Sequence, residues 1–388
     1  MRNRLLRLHR DERGMSFVYV GVGFMGFLAA TTLAIDVGMF MTARTQAQTA
    51  ADAGALAGAV ALVMDSWDDR SASGPAVQSA INTAQPNKIM SGTPSVVPSD
   101  VTFPTSPSGE KDRVRVQVYR TKARSNALPT LMGQLFGVKT ADIVAVATAE
   151  ASPANAATCV KPFMIPDRWK ENQDPKFDPL TSTYDRYDNK GNLLKNPDVY
   201  VPAGQPGYTG YTIADRGTLM ILRAGTGSNI SPSMYYSWKM PSDIGGDYYR
   251  NNISGCNTTV LSFSPTKPYY MIQEPGDMSG PTNQGIDDLI AKDPGATWDT
   301  SCKCVKGSKF GVSPRVTPLP LFDPEYYATG KANGRTADFK LANVMGYFID
   351  KRVGNQVYGY ITPLTGIFDP NAGPAPAGAF PRAIRLVE

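Results

Sequence analysis

From Gly14 to Ile35 the chain carries no charged side chain: GMSFVYVGVGFMGFLAATTLAI. At about 1.5 Å of rise per residue, a helix of this length reaches roughly the 30 Å hydrocarbon thickness of a bilayer. Arg2, Arg4, Arg7, Arg10 and Arg13 precede it, against Asp11 and Glu12. The positive-inside rule keeps that end in the cytoplasm and places the body on the far side. A cleaved secretory signal would have a shorter apolar core ending at a small-residue site. Here the apolar run leads without a break into further helix. The expectation is a retained single-pass anchor in the inner (cytoplasmic) membrane, with a periplasmic or otherwise extracytoplasmic body.

The net charge of +5 is concentrated in the basic tail. The rest of the chain is nearly balanced, so no basic surface for nucleic acid is expected. The one histidine, His9, also lies in the tail. Histidine triads, histidine metal ligands and imidazole acid–base chemistry are therefore excluded from the body. Gly21–Gly26, GVGFMG, matches the letters of a dinucleotide-binding G-x-G-x-x-G. It lies inside the uncharged span, with no βαβ unit around it and no acidic residue at the required distance. Glycine in a membrane helix instead permits close helix contacts.

Asp36 to Met64 reads DVGMFMTARTQAQTAADAGALAGAVALVM, without proline and dominated by alanine, the best helix former. Ala50, Gly54 and Gly58 recur every fourth residue, as do Ala47, Ala51, Ala55 and Ala59. They form a smooth stripe on which another backbone packs closely. The stripe fits the protein's own sheet first and a partner helix second. With the anchor it makes one helix of about fifty residues, on the order of 75 Å long.

These segments resemble the N-terminal region of the TadE/TadG-like proteins of Tad (Flp) pilus systems. The resemblance rests on Arg13–Gly14 closing a charged tail, on Asp36–Val37–Gly38 at the exit of the span, and on the run from Gln48 to Gly58. It covers about the first 65 residues. It implies a role in assembling or anchoring an adhesive pilus rather than catalysis. A prepilin cleaved after Gly14 would carry glutamate at the fifth mature position, where this chain has Tyr19. That departure points to a TadG-like member with a retained anchor.

Beyond the helix, 65–112 mixes a short helical stretch (Ala76–Ala84) with Pro- and Ser-rich connections. DRVRVQVYR at Asp112–Arg120 alternates as a half-buried strand, with Val114, Val116 and Val118 on one face and Arg113, Arg115 and Gln117 on the other. Ala127–Phe136 reads as a helix and Ala141–Ala151 as a strand. From 153 onward, 31 prolines and 36 glycines in the whole chain punctuate short strands with turns. Only Gln284–Lys292 reads as clearly helical there, and AIRLVE reads as a last strand.

Cys159, Cys256, Cys302 and Cys304 all follow the anchor. An even count outside the cytoplasm predicts two disulfides. Cys302 and Cys304, one residue apart, are each expected to join a distant cysteine. The spacing is not that of a zinc site. Ser264–Lys267 matches S-x-x-K, but Pro265 and Pro268 deny it the helix that motif requires. Asp277 and Ser279 are followed by Gly280 and Pro281, so the metal motif of a von Willebrand A domain is missing. Asp174, Asp178, Asp185, Asp188, Asn189 and Asp198 have the chemistry of a calcium site. With Gly191 as the loop glycine, however, Arg186 falls at the first ligand position, and a polar turn-rich loop is the better reading.

The expected fold class is α+β. A transmembrane helix (15–35) follows a cytoplasmic tail (1–14) and continues into a long pilin-like helix on a small β-sheet (36–152). A larger, mainly-β, disulfide-containing extracytoplasmic domain follows (153–388). The expected function is a structural membrane-anchored component of a Tad/Flp-type pilus or a related secretion or adhesion apparatus. It is expected to use no cofactor or metal. Its expected partners are other pilus-assembly membrane proteins, pilin subunits or a second copy of itself. A processed minor pilin and a membrane-tethered periplasmic enzyme or ligand-binding protein are the alternatives.

Overall fold

The computed structural model describes residues 15–387, apart from 108, 189, 226–228, 242–244, 275, 333–337 and 377. The basic tail 1–14, with His9 and Gly14, lies outside the described residues. So does Asn189.

Helix α1 runs unbroken over Met15–Met64, fifty residues. Its first part is long and apolar enough to cross a membrane and is almost wholly uncovered by the rest of the chain. Its second part lies against helix α2 (Pro75–Ala84) and a four-stranded antiparallel sheet. Proline opens α2, where a missing amide costs nothing. The sheet's first three strands are β1 (Val101–Thr102), β2 (Arg113–Arg120) and β3 (Ile143–Pro153). On β2 the expected alternation holds: Val114, Val116 and Val118 are fully buried against the helix. Arg120 continues that inward face, and its guanidinium donates to the carbonyls of Ile89 and Asn126.

Ala127–Phe136 is not a helix. Leu128–Pro129 pairs with Thr140–Ala141, and a single 3-10 turn, Gly133–Phe136, lies between them. Pro129 has no amide to give a helix, and Gly137 turns the chain at φ +82°.

The second half of the chain builds a closed barrel of six strands. They are β4 (Phe163–Pro166), β5 (Leu219–Ala224), β6 (Met234–Ser237), β8 (Val316–Phe322), β9 (Asp338–Val353) and β10 (Gln356–Thr362). A short strand β7 (Tyr270–Ile272) pairs with the start of β9. Around the ring the order is β9, β8, β4, β6, β5, β10 and back to β9. The β8–β4 and β5–β6 neighbours are parallel, and the others are antiparallel. Closure removes the unpaired edges that an open sheet of these strands would expose. Strand β9 makes this possible by its sixteen-residue length, which lets it pair with β8 and with β10 at different levels. It turns into β10 through a two-residue Gly354–Asn355 loop, with Gly354 at φ +58°.

Helices α3 (Gly246–Ser254) and α4 (Ser279–Lys292) pack together. They contribute Tyr249, Ile253, Ile286 and Leu289 to a core shared with Phe163, Leu319 and Tyr347 of the barrel. A third helix, α5 (Pro324–Ala332), borders the aromatic cluster of Tyr236, Phe322, Tyr327 and Phe339. Helix α4 is longer than the expected Gln284–Lys292, and α3 and α5 were not legible from periodicity. The result is α+β overall, as expected.

The closing strand β11 (Arg382–Leu386) pairs with β3 from Arg382↔Pro153 to Leu386↔Ala149. The chain leaves the barrel to complete the sheet that lies under α1.

Candidate anchoring helix and its junctions

All seven small residues of the stripe, Ala47, Ala50, Ala51, Gly54, Ala55, Gly58 and Ala59, are buried. They face α2, β2 and β3. A Cβ on Gly54 would stand 3.0 Å from both Ala80 O and Ala84 Cβ. One on Gly58 would stand 2.8 Å from Val114 Cγ1 and 3.2 Å from Ala76 O. The glycines therefore let α2 and β2 approach to distances that a side chain would prevent.

The polar residues of the same stretch also serve the fold. Gln48 Nε2 donates to Asp52 Oδ1 one turn on (2.8 Å) and to Val146 O of β3 (3.1 Å). Gln46 Oε1 accepts the Met90 amide at 2.7 Å. Both glutamines tie the helix laterally to the sheet and its loops.

Asp36 stands at the first position after the uncharged span and is nearly buried. Its carboxylate accepts the amides of Leu131 (3.0 Å), Met132 (3.2 Å) and Gly133 (2.6 Å). Burial pushes this carboxyl up. The amides of Met132, Gly133 and Leu131 outweigh it, and Asp36 titrates below its ordinary value. A lone carboxylate at a membrane surface would be costly; one that accepts three amides is compensated.

The far end of α1 has its own fastening. Arg216, just before β5, donates through Nη2 to Met64 O (3.0 Å) and Asp65 O (2.6 Å). Its Nε donates to Lys303 O at 2.8 Å. A cation on the last carbonyls of a helix is favourable both as a hydrogen-bond donor and against the helix dipole. Lys303 lies between Cys302 and Cys304, so the same guanidinium joins α1 to the cysteine turn.

The cysteine pairing differs from the expected one. Cys302 and Cys304 pair with each other (Cα–Cα 5.2 Å), and Cys159 pairs with Cys256 (Cα–Cα 4.3 Å). Cys302 and Cys304 close the hairpin of Thr297–Asp299 and Cys304–Lys306. Lys303 takes φ +51°, which folds the backbone so that neighbours but one face each other. Asp299 Oδ1 holds that turn by accepting the amides of Ser301 and Cys302. Cys256, directly after α3, joins Cys159 near β4. Close by, the buried Lys161 Nζ donates to the carbonyls of Ile253 (2.7 Å) and Gly255 (2.8 Å). Burial, with Lys292 nearby, pushes the Lys161 ammonium down to about 7.

Among the described residues no group of three or more His, Cys, Asp or Glu side chains is arranged to hold a metal ion. The acidic residues of the 174–198 loop serve its backbone. Asp198 accepts the amides of Asn172 and Asp185, Asp188 those of Lys190 and Asn192, and Asp178 that of Leu180. Asp185 accepts the Thr183 hydroxyl. Asp174 gives its amide to Glu171. Ser264 and Lys267 form a tight turn rather than a helix.

Asp167, directly after β4, is fully buried and was not singled out by sequence. It accepts the Tyr200 and Tyr208 hydroxyls, both at 3.0 Å, and the amides of Tyr211 and Arg168. Burial lifts its carboxyl to about 6, against the pull of those four donors. The cluster closes on itself. A cleft of about 160 Å³ is lined in part by Phe263, Pro265, Asp323 and Lys340. A second of about 160 Å³ lies between Met64 and the Cys304–Val316 segment. Both fall below the roughly 300 Å³ at which small-molecule sites begin.

Neither a curated protein nor a solved structure matches this chain. Residues 14–61 match the Tad family model (Putative Flp pilus-assembly TadE/G-like). The match spans the apolar helix, Asp36, Gln48, Asp52, Gly54 and Gly58. The chain thus carries a TadE/G-like N-terminal segment, and Asp36, Gln48, Gly54 and Gly58 within it fasten a membrane-length helix to the body.

Proposed function

We propose that this protein is a structural, membrane-anchored component of a Tad/Flp-type pilus or related secretion or adhesion apparatus, and a TadG-like one. The observation that carries this reading is the continuity of α1. One helix holds both the apolar span and the TadE/G-like match, and Gln48, Gly54 and Gly58 within the match lock it to the sheet and α2. The proposed topology is single-pass in the inner membrane, with the arginine-rich tail cytoplasmic and the sheet and barrel periplasmic. Other pilus-assembly membrane proteins or pilin subunits are its proposed partners, and the body has no assigned catalytic role.

A processed minor pilin is the second reading, favoured by the long helix on a small antiparallel sheet. Tyr19 weighs against it, as does the barrel that follows the sheet. Two measurements separate them. Mass spectrometry of the mature N-terminus should find the tail intact in inner-membrane fractions. A start at Met15 in sheared pili would instead establish the filament reading. Tagged full-length protein should copurify with pilus-assembly components, and the absence of any such component from crosslinked membranes would overturn the proposal.

A further inference from the structure

The loop between Leu128–Pro129 and Thr140–Ala141 has an unusual surface. Leu131 is 60% exposed, Phe136 65% and Val138 55%. Three large apolar side chains thus stand in the open on one short loop, which buried-core arguments do not explain. The loop is also fixed in place. Asp36 accepts the amides of Leu131, Met132 and Gly133, so the loop is held level with the first residue beyond the apolar span. On α1 itself, Leu33, Ile35, Val37 and Met41 are exposed at this level. The patch therefore lies at the same level along α1 as the exposed apolar side chains at the end of the span.

The loop's backbone is largely satisfied from within. Besides the three amides held by Asp36, the Val138 amide donates to Gly133 O (3.0 Å) and the Gly137 amide to Gln134 O (3.1 Å). Thr130 Oγ1 donates to Val138 O (2.5 Å), and Gln134 Nε2 to Thr130 O (2.7 Å). Pairing most of these peptide groups lowers the cost of seating the segment where water is scarce. Exposed Lys139 follows at the loop's end, where a cation suits anionic headgroups.

We infer that the Leu131–Val138 loop is a second membrane contact, which seats its apolar side chains in the headgroup–acyl boundary beside the exit of α1. Segments of this kind lie roughly 5–10 Å into that boundary. Asp36 then has two tasks: it ends the span, and it sets the depth and orientation of the loop. Two contacts fix the rotation of the body about the α1 axis, which a single helix leaves free. The inference rests on the reading that α1 crosses a membrane.

The test uses full-length protein in vesicles of phosphatidylcholine and phosphatidylglycerol, with bromine placed, in separate preparations, high on the acyl chains and near their ends. Tryptophan is introduced singly as Phe136→Trp, Leu131→Trp, Phe24→Trp within the span, and Phe310→Trp on the barrel. Emission is read as the difference from the parent protein. Trp at 131 and 136 should be blue-shifted and quenched by bromolipid to at least half the extent found at 24. Trp at 310 should respond only to aqueous acrylamide. If Trp at 24 is quenched while those at 131 and 136 answer to acrylamide, the loop is in water and the inference fails alone. If both loop positions are shielded from both quenchers, protein covers the loop, and the inference fails as well. If Trp at 24 is not quenched, the anchor reading itself fails.

Discussion

Replacing glycine by alanine inside a helix ordinarily stabilises it by about 1 kcal/mol, because the backbone loses less freedom on folding. Along α1 the structure reverses that sign at two glycines and keeps it at a third. A Cβ on Gly58 would meet Val114 Cγ1 at 2.8 Å, Ala76 O at 3.2 Å and Ala80 Cβ at 3.2 Å. One on Gly54 would meet Ala80 O and Ala84 Cβ at 3.0 Å. These neighbours are buried backbone or short side chains, so relief requires α2 or β2 to move as a body. Overpacking of this kind costs about 1–3 kcal/mol. Against a propensity gain of about 1 kcal/mol, Gly58→Ala should lose about 1 kcal/mol net, and Gly54→Ala somewhat less. Gly38 meets nothing within 4 Å, so Gly38→Ala should gain up to about 1 kcal/mol. Both buried sites press on Ala80. One displacement of α2 relieves the α2 share of both clashes, though not the Val114 contact, and the double variant should therefore cost less than the sum. The assay is urea unfolding of detergent-solubilised full-length protein, comparing midpoints at unchanged slope. If Gly58→Ala is stabilised as Gly38→Ala is, the close approach of α2 and β2 to α1 is wrong.

Three further outcomes follow from the body. The folded state holds the Asp167 carboxyl at about 6 and so binds its proton more tightly than the unfolded chain does. The stability this gives is full below about pH 4 and lost above about pH 6, a change on the order of 3 kcal/mol. Asp167→Asn cannot titrate, so the parent's advantage over it should shrink between melts at pH 4 and pH 7. An unchanged difference would show that Asp167 is not buried as described. The Cys159–Cys256 bridge closes a 97-residue separation and Cys302–Cys304 one of 2. By chain entropy, replacing the first pair with serine should cost about 4–5 kcal/mol and the second about 1.5 kcal/mol. The reverse order in chemical unfolding, or mass mapping of mixed pairs, would contradict the pairing. Arg216→Ala removes three carbonyl contacts at the end of α1 and should lose about 2 kcal/mol. It should also open 64–70 to limited proteolysis, and Arg216→Lys should restore only part, since an ammonium cannot fork to both segments. Equal protease resistance in all three proteins would remove the latch.

The sequence was legible wherever one physical rule governed a segment. The uncharged span, the alanine-rich continuation and the β2 alternation each follow from solvent or period alone, and each appears where expected. Failure came where tertiary contacts override local signals. Ala127–Phe136 has helical composition, but Pro129, Gly133 and Gly137 permit a loop, and Asp36 stabilises that loop from ninety-odd residues away. Cys302–Cys304 looked too close to pair because the positive φ of Lys303 cannot be read from composition. Helix α3 is tyrosine-rich and carries two asparagines, so its helicity comes from packing on α4 rather than propensity. One missed signal was available. Gly354–Asn355 sits between alternating residues, the pattern of a two-residue hairpin, and would have located β9 and β10. Barrel closure had no local signature, since it depends on which of six strands meet.

The ties between helix and body bear on how the protein works. Asp36 fastens one end of the second part of α1, and Arg216 fastens the other. Between them Gln48 binds β3, and β11 returns from the barrel to the same strand. Arg382 at the head of β11 lies over Trp67 (5.0 Å), just past the helix, and pairs with Glu110 (2.9 Å). Displacing the barrel from α1 therefore requires breaking several contacts at once, rather than bending a linker. A body fastened in this way along the second part of α1 passes position and load on through the fold itself, which is the construction the proposed structural role calls for. On the proposed structural role, the junction residues Asp36, Gln48 and Arg216 are the place to disrupt function.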